Sequence, residues 1–239
     1  GRAEVVQLAP RFIAPLQLGP GVNLAPLLEE RGGRVLVLDW LNNTWHQRKE
    51  EDTVIFDGDP QTAYLGDGHY VPQLSLGATQ NKYWIFDFGA RFPLKRLRFY
   101  PRQEHREDRF VERFLVGVND GDPLKDGMRE YQIRWWWGEW IGTGFDCDLI
   151  HDVRENTSPT IELAIPSEPV RFLYFEAPEN SRGIWEIAEI EIYGEGPTPL
   201  AGYVSNVIDM GGRVALGRLS WSGQVDAGAV VDLRMRCGD

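Results

Sequence analysis

Short apolar runs, each closed by glycine, proline, asparagine or aspartate, recur along most of this chain, and helical 3.6-residue periodicity nowhere persists beyond about three turns. The runs are Arg34–Asp39, Thr53–Phe56, Lys82–Phe88, Arg96–Tyr100, Phe114–Asn119, Glu130–Trp137, Thr160–Ile165, Val170–Ala177 and Trp185–Tyr193. Strands without βαβ alternation predict an all-β fold, an antiparallel jelly-roll β-sandwich, rather than a parallel α/β sheet. Composition agrees: nine Trp, eight Tyr and eleven Phe, with 26 Gly and 15 Pro, suit short strands joined by tight turns. At 239 residues the chain buries a core without needing disulfide staples.

Both ends depart from the strand pattern. Residues 1–33 carry Pro10, Pro15, Gly19-Pro20 and Pro26 around short apolar pieces and read as an extended N-terminal arm, with one or two helical turns at Leu24–Arg31. The sandwich then occupies 34–196. Pro197-Thr198-Pro199 reads as a linker, and residues 197–239 add a C-terminal set of extra strands at Tyr203–Asp209, Val214–Trp221 and Ala229–Met235. That tail is too short to close a second sandwich. It packs on the main domain, or it joins the arm or another subunit in a second module or an assembly element.

Charge narrows the partners. The net charge of −11 disfavours nucleic acid and anionic membranes and leaves cations and neutral ligands open. No apolar run approaches the roughly 20 residues of a membrane span. Gly1-Arg2-Ala3-Glu4 is not a signal peptide, but a mature extracellular chain would already have lost its signal. Cys147 and Cys237 are the only cysteines, either one disulfide tying the tail back or two thiols. The sequence contains no HExxH, GxSxG, P-loop or CxxC motif, and His46, His69, His105 and His151 are scattered, so no enzyme is expected.

The sharpest local signal is Ile55-Phe56-Asp57-Gly58-Asp59-Pro60-Gln61-Thr62. Two aspartates flanking a glycine, with a hydroxyl three residues on, can turn oxygens towards one point for a hard cation such as calcium. The same aspartates can instead accept backbone N–H bonds in an Asx-type turn. Asn119-Asp120-Gly121-Asp122-Pro123 lacks the spacing of an EF-hand and reads as a hairpin loop. Trp135-Trp136-Trp137 and Trp140 offer indoles either to a sugar ring or to packing under residues 142–158. Arg102-Gln103-Glu104-His105-Arg106-Glu107-Asp108-Arg109 is a charged loop whose Arg and His can reach hydroxyls or simply be solvated. Asn42-Asn43-Thr44 and Asn156-Thr157-Ser158 fit the glycosylation sequon.

The Asp57 loop, together with Tyr83–Gly89, Leu94–Pro101, Phe114–Val118, Val170–Phe175 and Trp185–Gly194, resembles the galactose-binding-like or discoidin superfamily. That superfamily includes coagulation-factor type C domains and family 32 carbohydrate-binding modules. The resemblance covers about residues 34–195 and implies a jelly roll with one structural calcium between the loop and the last strand. Carried over by position, Asp57, Asp59, Thr62, the Ala188 carbonyl and the Glu189 carboxylate would hold it. Where the family loop often continues into Trp, this chain has Ala63-Tyr64. Ligand binding through loops at one end of the sandwich makes His69, Tyr70, Arg102, His105, Trp136 and Trp140 the candidate glycan contacts. The expected function is a non-catalytic, extracellular or cell-surface carbohydrate-binding or adhesive module for a glycan or cell-surface ligand. The alternative is a structural subunit of a polymer or surface layer, self-assembled through its arm and C-terminal strands.

Overall fold

In a computed structural model, the described residues are 2–4, 6–9, 12–39, 44–47, 54–66, 82–121, 134–136, 139–141, 147–166, 168–177 and 185–237. Compact units comprise Arg2–Val204, and Gly1 with Ser205–Asp239.

The larger unit is an antiparallel β-sandwich. One sheet has six strands in the order Asp148–Val153, Phe114–Asn119, Val170–Ala177, Lys82–Phe92, Arg34–Asp39 and Thr44–Gln47. The other has three, Ile161–Ala164, Leu94–Tyr100 and Glu189–Gly194. Alternation explains the layer between them: Leu94, Leu97 and Phe99 point inward from their strand while Arg96, Arg98 and Tyr100 stay partly exposed. Phe99 meets Phe114 at 5.1 Å and Phe175 at 4.9 Å, both edge to face, across the sandwich. Val170–Ala177 is a nearly continuous apolar run because both faces of its sheet are covered. Phe175 faces the sandwich core, whereas Phe172 and Tyr174 join Leu36 and Ile85 in a second buried cluster. Gly89 sits where only glycine fits, with φ of 72° and a Cβ that would strike the Gly32 carbonyl.

The arm is part of this unit. Leu18, Leu24, Ala25 and Leu28 are buried in the main core. Leu24 N–H donates to the Ile192 carbonyl at 2.7 Å, and Asn23 Oδ1 accepts from Ile192 N–H at 2.9 Å, so the arm covers the free edge of Glu189–Gly194. Beside it, Gly196–Pro197 pairs with Gln17–Leu18, and Thr198 N–H donates to the Leu16 carbonyl at 3.0 Å. Leu24→Ala should therefore destabilise the unit by about 2–5 kcal/mol. Urea unfolding measures this, and a change under about 0.5 kcal/mol, typical of an exposed site, would mean the arm contributes nothing to the core.

Two strand expectations are corrected. Val54–Phe56 forms a 3-10 turn, not a strand, with the adjacent Ile55 and Phe56 both buried in the same core, which alternation along a strand does not allow. Beyond Pro197, Gly202–Val204 is the only strand among the described residues of the tail, and it pairs with Arg2–Glu4. Among the described residues from 205 to 237 none is in a strand, so Val214–Trp221 and Ala229–Met235 do not form the extra strands expected there. Period-2 patterning makes a strand only where a neighbour takes its N–H and C=O groups. The tail's apolar side chains stand in solvent, Val207 at 97% and Val230 at 89% of full exposure.

Candidate functional site

The Asp57 loop hangs from a buried anchor. Ile55 and Phe56 sit in the core and throw the next residues outward, and Gly58 turns the chain with φ of 82°. Asp57 Oδ1 accepts from Asp59 N–H at 2.8 Å and Asp59 Oδ1 from Gln61 N–H at 2.9 Å, so Asx turns do form. The Thr62 hydroxyl lies 2.8 Å from Asp57 Oδ2 and 3.0 Å from the Asp59 carbonyl. Tyr64 meets Trp84 edge to face at 5.4 Å and Trp185 at 6.0 Å.

Glu189 faces that loop from the start of its strand, positioned by a bond from the adjacent Ala188 N–H to the Tyr100 carbonyl at 2.8 Å. Only 3% exposed, its carboxyl is pushed up to about 7, by burial first and then by the charge and hydrogen bond of Asp57, against a lowering by the Gly58 N–H. Glu189 Oε1 is buried with no hydrogen-bond partner among the described residues. Facing carboxyls of this kind need a shared proton or a cation between them. Carboxylate, hydroxyl and carbonyl oxygens, with no nitrogen or sulfur, are the donor set of a hard cation, and the orphaned oxygen fits one. No three Asp, Glu, His or Cys side chains cluster among the described residues, so hydroxyl, carbonyl or water oxygens would have to complete such a shell.

A second constellation was missed from sequence. Glu186, fully buried, binds both ends of the 102–109 loop. Its Oε1 accepts from Arg102 N–H at 3.0 Å and Arg102 Nε at 3.1 Å. Its Oε2 accepts from Arg102 Nη2 at 2.9 Å and Arg109 Nη1 at 3.5 Å, and its N–H donates to the Arg109 carbonyl at 2.8 Å. The side-chain bonds to the Glu186 carboxylate raise the Arg102 pKa further. The signal was a lone charge inside the apolar run Trp185-Glu186-Ile187-Ala188.

Arg102, taken as a glycan contact, thus spends its fork on Glu186, with Nη1 3.1 Å from Glu104. His105 lies between Glu104 at 3.5 Å and Asp108 at 3.4 Å. His69 and Tyr70 lie outside the described residues. Trp136 ends a strand, Arg134–Trp136, that pairs with Glu139–Ile141, which contains Trp140; their side chains too lie outside the described set. Cys147 packs against Gly117 of the six-stranded sheet, and Cys237, in the smaller unit, is exposed. In the second sequon, Asn156 Nδ2 is committed to the Val111 and Ser158 carbonyls, both at 2.7 Å, which leaves that amide poorly placed to carry a glycan. Asn42 and Asn43 of the first lie outside the described residues.

No family model and no curated protein matches the chain. Solved structures resemble it in fold. CpGH89CBM32-6 from Clostridium perfringens does so at 16% identity and a TM-score of 0.44, over 72% of this chain and 99% of that one. The family 32 module of C. perfringens NanJ, in complex with galactose, matches at 10% identity and a TM-score of 0.43, over 70% and 96%. Chitosan-binding module 1 of a chitosanase/glucanase from Paenibacillus sp. IK-5 matches at 10% and 0.39, over 59% and 83%. At such identities a shared ligand does not follow.

Proposed function

We propose that this chain is a non-catalytic carbohydrate-binding or adhesive module, extracellular or at the cell surface, with one structural calcium. The observation that carries the reading is the meeting of the Asp57 carboxyl with the buried Glu189 carboxyl, one oxygen of which lacks a partner among the described residues. Those residues come from the loop and the strand that the superfamily resemblance pairs. Asp57, Asp59, Thr62, Glu189 and the Ala188 carbonyl would hold the ion, which would tie loop to strand and take no part in ligand recognition. The net charge of −11 is consistent with a neutral partner rather than nucleic acid.

A glycan array probed with the whole chain tests the reading. Binding to at least one glycan class, without cleavage, is the expected result. The second reading, a polymer or surface-layer subunit, draws support from the exposed apolar tail, including Val207, Ile208 and Val230. It draws none from arm residues 16–28, several of which are already docked in the core. A blank array accompanied by concentration-dependent mass in light scattering would replace the first reading with the second.

A further inference from the structure

Twelve large apolar residues between Val207 and Met235 stand 42–97% exposed, and none of the described residues from 205 to 237 is paired in a sheet. Together they show on the order of 1,000 Å² of apolar surface, above the few hundred that monomers leave bare and near the roughly 800 Å² that each partner buries in a standard interface. We infer that this segment is a two-fold dimerisation surface, and that its occupant is the same segment of a second copy of the chain.

Charge chooses that occupant. Residues 205–239 hold four Arg, four Asp and no Lys or Glu, so the segment is neutral and the whole net charge of −11 lies in residues 1–204. Two copies repel through their larger parts and meet without net repulsion here. The last run, Val230-Val231-Asp232-Leu233-Arg234-Met235-Arg236, is also complementary to itself. Paired antiparallel about Leu233, Asp232 of each copy lies opposite Arg234 of the other, and Val231 opposite Met235. Period 2 then puts Val231, Leu233 and Met235 of both copies on one face and the crossed ion pairs on the other. In the single chain Asp232 and Arg234 already share a face, with Arg234 Nη2 2.7 Å from Asp232 Oδ2 and both side chains exposed, free to exchange partners.

Pairing also answers the backbone. A lone two-stranded ribbon is marginal in water, and three or more strands with an apolar face are needed. Two tails bring six apolar runs, two each of Val207–Met210, Val214–Trp221 and Val230–Met235. Gly211 with φ of 72° and Gly228 with φ of 86° turn the chain between them. The strands that alternation does not make in one chain form where a second copy takes their N–H and C=O groups. An isologous contact closes at two copies, so it differs from the polymer reading above. It also stands apart from the carbohydrate-binding reading; where that reading holds, two sandwiches on one particle turn weak single-site binding into avid binding.

Sedimentation equilibrium of the whole chain, as wild type and as Asp232→Arg and Arg234→Asp, is the test. Wild type is expected to form a reversible dimer and nothing larger. Each variant sets like charges opposite one another across the two-fold and should dissociate about tenfold or more readily, with the melting temperature unchanged because both side chains are exposed. An equimolar mixture of the two variants should recover the dimer, since the substitutions complement each other across the two-fold. Wild type that stays monomeric at every concentration overturns the inference. So does a dimer that both variants leave unchanged, which places the contact elsewhere, or a mixture that fails to recover it. Mass that keeps growing with concentration overturns the two-fold closure and favours the polymer reading. The glycan array reports on carbohydrate binding independently of each of these outcomes.

Discussion

Chelation lowers the melting temperature of the wild-type protein by roughly 5–10 °C, and Asp57→Ala, already low, does not respond. The expectation follows from mass action: an ion bound only by the folded state adds about 2.7 kcal/mol at a hundredfold excess over Kd, and a chain of this size moves roughly 2–4 °C per kcal/mol. Glu189 gives the pH signature. Its folded-state pKa, about 7 without the ion, lies above the ordinary 4.5. The folded protein therefore keeps a proton that the unfolded chain has released, and in excess chelator its stability falls as pH rises from about 4.5 to about 7. Saturating calcium flattens that fall, because the ion takes the proton's place and its affinity rises over the same range. Scanning calorimetry on wild type and Asp57→Ala, with calcium and with chelator, checks all of this. Superimposable melts in every condition would falsify the calcium.

Glu186→Ala is the second large effect. Removing one partner of a buried ion pair typically costs 3–5 kcal/mol, because the opposite charge is left uncompensated. Here Arg102 and Arg109 keep 22% and 29% of their side-chain exposure, so part of their charge is recovered by water and the expected loss is near the lower end, about 3 kcal/mol. The loop carrying Arg106 and Glu107 should also gain proteolytic sensitivity ahead of global unfolding. A double-mutant cycle with Arg102→Ala isolates the pair, and a coupling energy well under about 0.5 kcal/mol would assign the stability to packing instead.

What the sequence made legible, and what it hid, follows from where each residue's partners lie. Arg34–Asp39, Phe114–Asn119 and Val170–Ala177 have the bounds expected of them, because an apolar β-rich run flanked by turn residues carries its own evidence. Asp148–Val153 was invisible: it is an edge strand, half solvated, and Asp-Leu-Ile-His-Asp-Val reads as loop. Arg102 looked like a free hydrogen-bonding head because Glu186, its partner, lies 84 residues away. The tail erred the other way, its alternation being a necessary sign of a strand and not a sufficient one. Asp57 was legible as an oxygen-rich turn, but only the superfamily resemblance linked it to Glu189, since nothing local in either segment points to the other.

The pairing of Arg2–Glu4 with Gly202–Val204 has a mechanical consequence. Arg2 lies opposite Val204 and Glu4 opposite Gly202, so the chain enters and leaves the larger unit side by side. Tension applied through the two ends opens that short antiparallel ladder one rung at a time, from Arg2 and Val204 inward, rather than shearing all its bonds together. Stretching therefore first spends the terminal ladder as slack, before any load reaches the two packed sheets.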